Sequence, residues 1–350
     1  MNTLYFAYPG ELDTPTGGYG YDREIISGLQ DLGWRVELVP LGDGFPFPAD
    51  ETRARAQDVL EHLPDGAQLV VDGLAFGVLP EAAAAISGRL DLCALVHHPL
   101  CRETGVSEAQ ASSLLESERK ALAQARHIIV TSHATAAQVE DLFGAENDRI
   151  TVVLPGTAKQ EFAARQPSGK LRLLSVGTVV RRKGYDLLFS ALGDLKENDW
   201  HLDIVGGLDA DPLCHAELLE QLSVLGLTDR VTFKGAIAPE DLSGFYRGAD
   251  VFVLASRYEG YGMAYTEALA HGLPVIGSGG GAVADTLPKG AAIYCGTEDT
   301  EKLRSALKLL ITDERKRLDM AAAARAAAAG LPDWKDAAAK FAAVLKGAGQ

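Results

Sequence analysis

The chain is short of the residues that would staple it, thread it through a bilayer or draw it to nucleic acid. Its 350 residues include four cysteines, Cys93, Cys101, Cys214 and Cys295. They are scattered, with no C-x-x-C pair and no ligand-spaced neighbours, which argues against a zinc site or a disulfide framework. Small buried hydrophobes are expected at these positions. No apolar run approaches the roughly 20 residues that span a bilayer as a helix. The stretch Met1 to Tyr8 lacks the basic region and apolar run of a signal peptide, so a cytoplasmic protein is expected. Cations are scarce too: 33 lysines and arginines face 48 acids, for a formal net charge of -15 and a pI near 5.0. That charge offers no positive field to a phosphate backbone and argues against nucleic acid as a partner. It also disfavours attraction of the whole protein to anionic lipid, leaving a local basic or amphipathic patch as the route to peripheral contact with the inner face of a membrane.

What is present is an ordinary globular composition, 47% apolar and 23% charged, at a length that favours two domains. Short runs rich in β-branched residues alternate with stretches of helical periodicity, the pattern of parallel βα units. Leu4 to Tyr8 reads as a strand and Thr16-Gly17-Gly18 as a glycine turn. Ile25, Ile26, Leu29 and Leu32 then fall at helical spacing before Gly33, and Val36 to Val39 returns as a strand. Further strands are expected at 69–71, 92–96, 128–130 and 151–153, and a second series at 171–176, 202–205, 231–234, 251–254, 274–276 and 292–294. Ser107 and Gln110 have the spacing of a capping box. Pro155-Gly156, Pro167 and Ser168-Gly169 break the pattern. The expected division is therefore a Rossmann-like domain over 1–160, a second over 161–332, and a C-terminal helix over 333–350 with Trp334, Ala338, Phe341 and Leu345 on its apolar face, a helix that could pack back across the seam between the domains.

Chemistry concentrates between Arg257 and Glu267. The segment Arg257-Tyr258-Glu259-Gly260-Tyr261-Gly262-Met263-Ala264-Tyr265-Thr266-Glu267 follows a strand and runs into a helix. Ligands of open α/β sheets bind outside the carboxyl ends of strands. One carboxylate on the loop and another a turn into the helix can address two parts of an extended ligand, since a carboxylate accepts two hydrogen bonds at once from a diol. Upstream, Val176-Gly177-Thr178-Val179-Val180-Arg181-Arg182-Lys183-Gly184 puts three cations after another strand, and His97-His98 ends the strand 92–96.

Together these residues resemble the retaining glycosyltransferases of family 4. Gly248-Ala249-Asp250-Val251-Phe252-Val253-Leu254-Ala255-Ser256-Arg257-Tyr258-Glu259-Gly260-Tyr261-Gly262 is similar to the run that opens their E-x7-E motif, with Ala255 in place of the common proline, and Ala268, Leu269, Ala270, Gly272, Pro274 and Val275 extend the match. The resemblance implies a GT-B fold: two facing Rossmann-like domains with a cleft between them and a C-terminal helical segment. It implies a nucleotide-diphosphate sugar, UDP- or GDP-linked, as donor and a hydroxylated acceptor, a lipid or a glycan. Glu267 would then bind the ribose and Glu259 would lie against the donor sugar. The backbone amides of Gly260, Tyr261, Gly262 and Met263 would face the diphosphate. Lys183 and Arg182, with Arg181 as the substitute, would stabilise the leaving diphosphate without a metal or other cofactor. His97, or His98 beside it, would stand near the reacting centre, with Gly17 and Gly18 in the glycine loop of the first domain. Ser132 matches a frequent family serine and equally suits a helix cap. Gly280 to Asp285 stands where the family often has G-G-x-P-E, without the proline and with aspartate for glutamate. The segment His97 to Gly105 would line the acceptor side.

Epimerases and phosphorylases share facing Rossmann domains but lack the E-x7-E context, and a non-catalytic nucleotide-sugar-binding subunit would keep the donor residues alone. A nicotinamide-dependent oxidoreductase would need G-x-G-x-x-G after a strand and an acid after the next strand, and neither half supplies the set.

Overall fold

The structure is a computed structural model that describes residues 2–103, 105–162 and 169–347. Pro167 and Ser168 of the expected interdomain break, and Thr104 in the segment after His98, lie outside the described residues. The chain divides into two compact units, Met1–Gly156 with Pro332–Gln350, and Thr157–Leu331.

The first unit is built on a six-stranded parallel sheet of β1 (Thr3–Tyr8), β2 (Arg35–Pro40), β3 (Gln68–Asp72), β4 (Asp91–Val96), β5 (His127–Val130) and β6 (Ile150–Val152), in the order β2-β1-β3-β4-β5-β6. The expected strands coincide with these to within a residue or two. The central strands read as near-continuous apolar runs because helices cover both faces; Leu69, Val70 and Val71 are fully buried, as are Ile128, Ile129 and Val130. The helix Gly17–Asp31 follows β1, and Ile25, Ile26 and Leu29 form its buried stripe. Gly17 and Gly18 do not form a turn ahead of this helix. Thr16 caps it and the glycines are its first residues. The capping box at Ser107 and Gln110 is present and opens the helix Glu108–Gln124. Ser132 caps the helix His133–Phe143 by accepting from the Thr135 amide. Cys93, Cys214 and Cys295 are buried as expected, whereas Cys101 is only half-buried.

The helix Trp334–Leu345 belongs to this first unit and packs on the helix Gly17–Asp31. Gly28 makes the approach possible, since a Cβ there would stand 2.5 Å from that of Ala338. Phe341 is fully buried and Leu345 nearly so, a contribution of about 2 kcal/mol each from apolar burial.

The second unit repeats the plan. Its six-stranded parallel sheet comprises β7 (Leu171–Val176), β8 (Trp200–Val205), β9 (Val231–Gly235), β10 (Val251–Leu254), β12 (Val275–Gly277) and β14 (Ala292–Tyr294), in the order β14-β12-β10-β7-β8-β9. A two-residue pair that periodicity cannot show, β11 (Tyr258–Glu259) and β13 (Gly280–Gly281), lies beyond the main sheet.

Strand order locates the site in each unit. The chain goes from β1 outward to β2 and then crosses to β3 on the other side, so the loops after β1 and β3 diverge. It does the same from β7, through β8 and β9, across to β10. Ligands of open parallel sheets sit in the crevice that such a reversal opens at the carboxyl ends. The loops after β7 and β10 carry the cations and Glu259, and those after β1, β3 and β4 surround His97. Among the described residues no helix is long and apolar enough to cross a membrane.

Candidate functional site

In the second unit, Glu259 is held between two cations. Its Oε1 lies 2.6 Å from Lys183 Nζ and its Oε2 3.4 Å from Arg182 Nη1. Arg182 also donates to the Tyr258 carbonyl at 3.0 Å, and Ser256 Oγ donates to Oε1 at 2.5 Å. The carboxylate is buried, and burial alone would raise its pKa. Lys183 and then Arg182 overcome that penalty and hold it down at about 2.

Glycines make this geometry possible. The loops after β7 and β10 are pressed together, so that Arg257 donates its backbone N–H to the Arg182 carbonyl at 2.8 Å. Gly184 turns the first loop in the left-handed region, where a Cβ would fall 2.0 Å from the Ala255 oxygen. Gly281 does the same beneath the second, 2.1 Å from the Glu259 oxygen. The Gly280 to Asp285 segment thus acts through its backbone: Gly280 donates to Arg257 and Ala282 donates to Glu259, each at 2.9 Å, while Asp285 itself is exposed. Arg257 locks the arrangement with a two-pronged pair to Asp186 at 2.8 and 2.7 Å.

The remaining donor-side candidates fall as follows. Glu267 lies in the helix Met263–Ala270, which Gly262 opens with φ 94, so the Gly260 to Met263 amides belong to its amino-terminal approach. The Glu267 side chain is partly exposed and accepts from Tyr246 Oη at 2.7 Å. Its pKa is raised by burial, against the hydrogen bond from Tyr246. Arg181 does not join Lys183 and Arg182. It is exposed and pairs with Glu217 at 2.8 Å.

In the first unit, the sign of the arrangement is reversed. His97 Nε2 lies 3.2 Å from Asp22 Oδ1 and 3.3 Å from Asp72 Oδ2, both carboxylates being buried. Burial lowers the pKa of His97, but Asp22 and then Asp72 raise it well above the ordinary histidine value. Gly18 lies against the ring, where a Cβ would be 3.5 Å from Cδ2, and Tyr21 meets it edge-on at 5.4 Å. Gly17 faces open space. His98 points elsewhere, to Glu103 at 3.1 Å. The loop after His97 is tied down by Glu118, whose buried carboxyl accepts from the Leu100 amide at 2.9 Å. Among the described residues, Asp22, Asp72 and His97 are the group of histidine, cysteine or acidic side chains close enough to share a metal ion, with ligand atoms within 4.8 Å of one another. Both carboxylates already face the imidazole nitrogen, so the geometry is equally that of an imidazolium between two acids.

Residues 157–327 match the family described as Glycosyl transferases group 1. Those residues, nearly the whole of the second unit, form a domain of that family. The chain is 38% identical over 157 residues to the mannosylfructose-phosphate synthase of Agrobacterium fabrum, covering 39% of this chain and 34% of that one. It is 29% identical over 285 residues to the GDP-mannose-dependent alpha-(1-6)-phosphatidylinositol monomannoside mannosyltransferase of Mycolicibacterium smegmatis, covering 71% and 72%. The chain spans about a third to two thirds of the length of the first curated relatives it matches. Among solved structures it is similar to the sucrose-phosphate synthase of Thermosynechococcus elongatus, with a TM-score of 0.84 at 20% identity over 99% of both chains. It is also similar to the Anabaena protein HepE in complex with UDP and glucose, with a TM-score of 0.78 at 18% identity over 98% and 99%. The fold is GT-B, as the motifs imply.

Sequence reading gave no role to four of the side chains that touch the candidate residues. Asp22 shares a helical face with Ile25, Ile26 and Leu29, and an acid within an apolar stripe is a readable sign of a buried, partnered carboxylate. Asp72 ends β3 at the switch point, a position that marks it without any motif. Ser256, next to Ala255, was visible only as part of the family run. Tyr246 gave no signal, because an aromatic on a helix is first of all a core residue.

Proposed function

We propose that the protein is a retaining hexosyltransferase. It takes a hexose from a UDP- or GDP-linked donor and delivers it to a hydroxyl of a glycolipid or glycan, in the synthesis of envelope or extracellular polysaccharide. The observation that carries the reading is the convergence of Lys183, Arg182 and Glu259 at the switch point of the second sheet. When the sugar–phosphate bond breaks, negative charge develops on the diphosphate, and two fixed cations in a largely desolvated site stabilise it. They supply what a divalent metal would otherwise provide, so the proposed chemistry needs none. Glu259 lies against the donor sugar and Glu267 holds the ribose. His97, held by Asp22 and Asp72, donates to hydroxyls of the sugar or acceptor and is not the general base, since an imidazolium has no free pair to accept a proton. Retention follows if the acceptor attacks from the side the diphosphate leaves and gives its proton to the departing oxygen. HepE, solved with UDP and glucose, supports the donor class, and the mannosyltransferase from Mycolicibacterium smegmatis supports a glycolipid acceptor.

A thermal-shift screen of nucleotide sugars identifies the donor, because a ligand that binds only the folded state raises the melting temperature. Release of nucleoside diphosphate with acceptor, undiminished by a chelator, then tests the reaction. Epimerised sugar in place of a transfer product, or binding with no turnover across a broad acceptor panel, would sink it.

A further inference from the structure

The buried face behind Glu267 carries a set of contacts that the donor-side motif does not account for. Tyr246 is only 1% exposed, and its hydroxyl donates to Glu267 Oε2 at 2.7 Å. Its ring stacks on His271, with centroids 4.8 Å apart and planes at 14°, and rests on Phe252 on another side at 5.9 Å. His271 Nδ1 is 2.8 Å from the backbone oxygen of Glu267, and its Nε2 is 3.2 Å from Ser243 Oγ. A carbonyl oxygen only accepts, so Nδ1 carries the proton. Burial lowers the pKa of His271 and keeps the ring neutral, which leaves Nε2 as the acceptor of the Ser243 hydroxyl. Ser243 and Tyr246 come from the helix Pro239–Gly248, while Glu267 and His271 come from the helix Met263–Ala270 and its end. The second glutamate of the motif is therefore held twice, at its backbone oxygen and at its carboxylate, by groups none of which is exposed.

We propose that Tyr246, backed by His271 and Ser243, is the positioning residue that fixes the Glu267 carboxylate for a ribose diol and so makes the protein select ribonucleotides over deoxyribonucleotides. The proposal rests on the reading of Glu267 as the ribose anchor. An ionised carboxylate has about four acceptor sites and a vicinal diol uses two of them. Tyr246 takes one at Oε2, which fixes the carboxylate plane and leaves Oε1 and the outer site of Oε2 for the ligand. The phenol donates its hydroxyl to the carboxylate, and that donation favours the ionised form that a diol requires. Selectivity follows because a site built to pair a hydroxyl is left with an unpaired buried acceptor when the hydroxyl is missing.

The test is isothermal titration of the full chain with uridine diphosphate, guanosine diphosphate and their 2′-deoxy counterparts. Glu267→Ala should abolish discrimination between ribo and deoxy forms. Tyr246→Phe, which keeps the ring and its packing, should weaken the preferred ribonucleotide roughly 5- to 10-fold, about the net worth of one ordinary hydrogen bond. It should leave the deoxy form nearly as it was, and the donor KM should rise more than kcat falls. Ser243→Ala, one step further back and tolerant of folding, should shift the same ratio by about twofold. Equal weakening of ribo and deoxy forms by Tyr246→Phe would mean that the phenol is structural only, and unchanged discrimination would likewise overturn the proposal while leaving Glu267 as the anchor. Discrimination that survives Glu267→Ala would instead remove the ribose reading itself, and the proposal with it.

Discussion

The two sheet ends solve one problem with opposite charges. In the second unit an acid, Glu259, is enclosed by the cations Lys183 and Arg182; in the first, a base, His97, is enclosed by the acids Asp22 and Asp72. A buried charge is tolerated only when it is paired and hydrogen-bonded, so each centre keeps its central group ionised across a wide pH range. Glu259 is pushed down to about 2 and His97 is pushed up. The difference lies in the balance of charge: the second unit has two cations joined by one acid, the first a cation with two acids behind it. Anionic leaving groups suit the former, and neutral hydroxyls the latter.

The sharpest way to break this comparison is to remove one cation. Lys183→Gln should lower kcat roughly 100- to 1,000-fold, the range seen when one stabilising donor of a developing charge is lost, and a steady-state assay with the identified donor reads it. Glu259→Gln should lower kcat roughly 100-fold while nucleoside diphosphate affinity, read by calorimetry, stays the same or tightens, because the competing carboxylate is gone. If both variants lost only affinity, the second sheet end would be a binding surface and no more.

The two ends should also answer to pH in opposite directions. His97 has a raised folded-state pKa, so the stability it contributes is fully present below its ordinary value of 6.5 and fades as pH rises through the folded value. His97→Gln should therefore cost about 3 kcal/mol at pH 6 and less at pH 10, by denaturant titration. Glu259 has a lowered pKa, so its contribution holds above 4.5 and is lost as pH falls toward 2. Destabilisation by Glu259→Gln should shrink over that acid window and not above it. A smaller effect separates the glycines: Gly281→Ala, at φ 72 with a Cβ 2.1 Å from the Glu259 oxygen, should cost at least about 1–2 kcal/mol. Gly17→Ala, facing open space in a helix, should be neutral or slightly stabilising. Smallest of all, Arg181→Ala should leave turnover unchanged and shift stability by less than about 1 kcal/mol, since its partner Glu217 is an exposed pair.

Much of the fold was legible because parallel strands buried on both faces leave unbroken apolar runs, as in Ile128 to Val130 and Val251 to Leu254. The β11 and β13 pair was not, because two residues are too few to show a period. Gly17 and Gly18 have the look of a tight turn after a strand, where glycine lets the backbone come close to a ligand; Thr16 instead caps a helix that the two glycines begin. At the site, residues on the motif were readable and their partners were not. Glu259 and Lys183 announce themselves by neighbours in sequence, whereas Asp22, Asp72 and Tyr246 reach His97 and Glu267 only through the topology, across separations that no local pattern spans.

The first unit has one further property that bears on how the protein is made. It is discontinuous: the chain leaves it at Gly156 and re-enters at Pro332, and the helix Trp334–Leu345 supplies Phe341 and Leu345 to its core. During synthesis the second unit emerges whole, as one uninterrupted stretch, and can collapse as it appears, since domains fold as units. The first must wait with part of its apolar surface uncovered until its last helix has been translated. Assembly order is thereby inverted with respect to the order of the sequence, and the unit begun first is the one finished last.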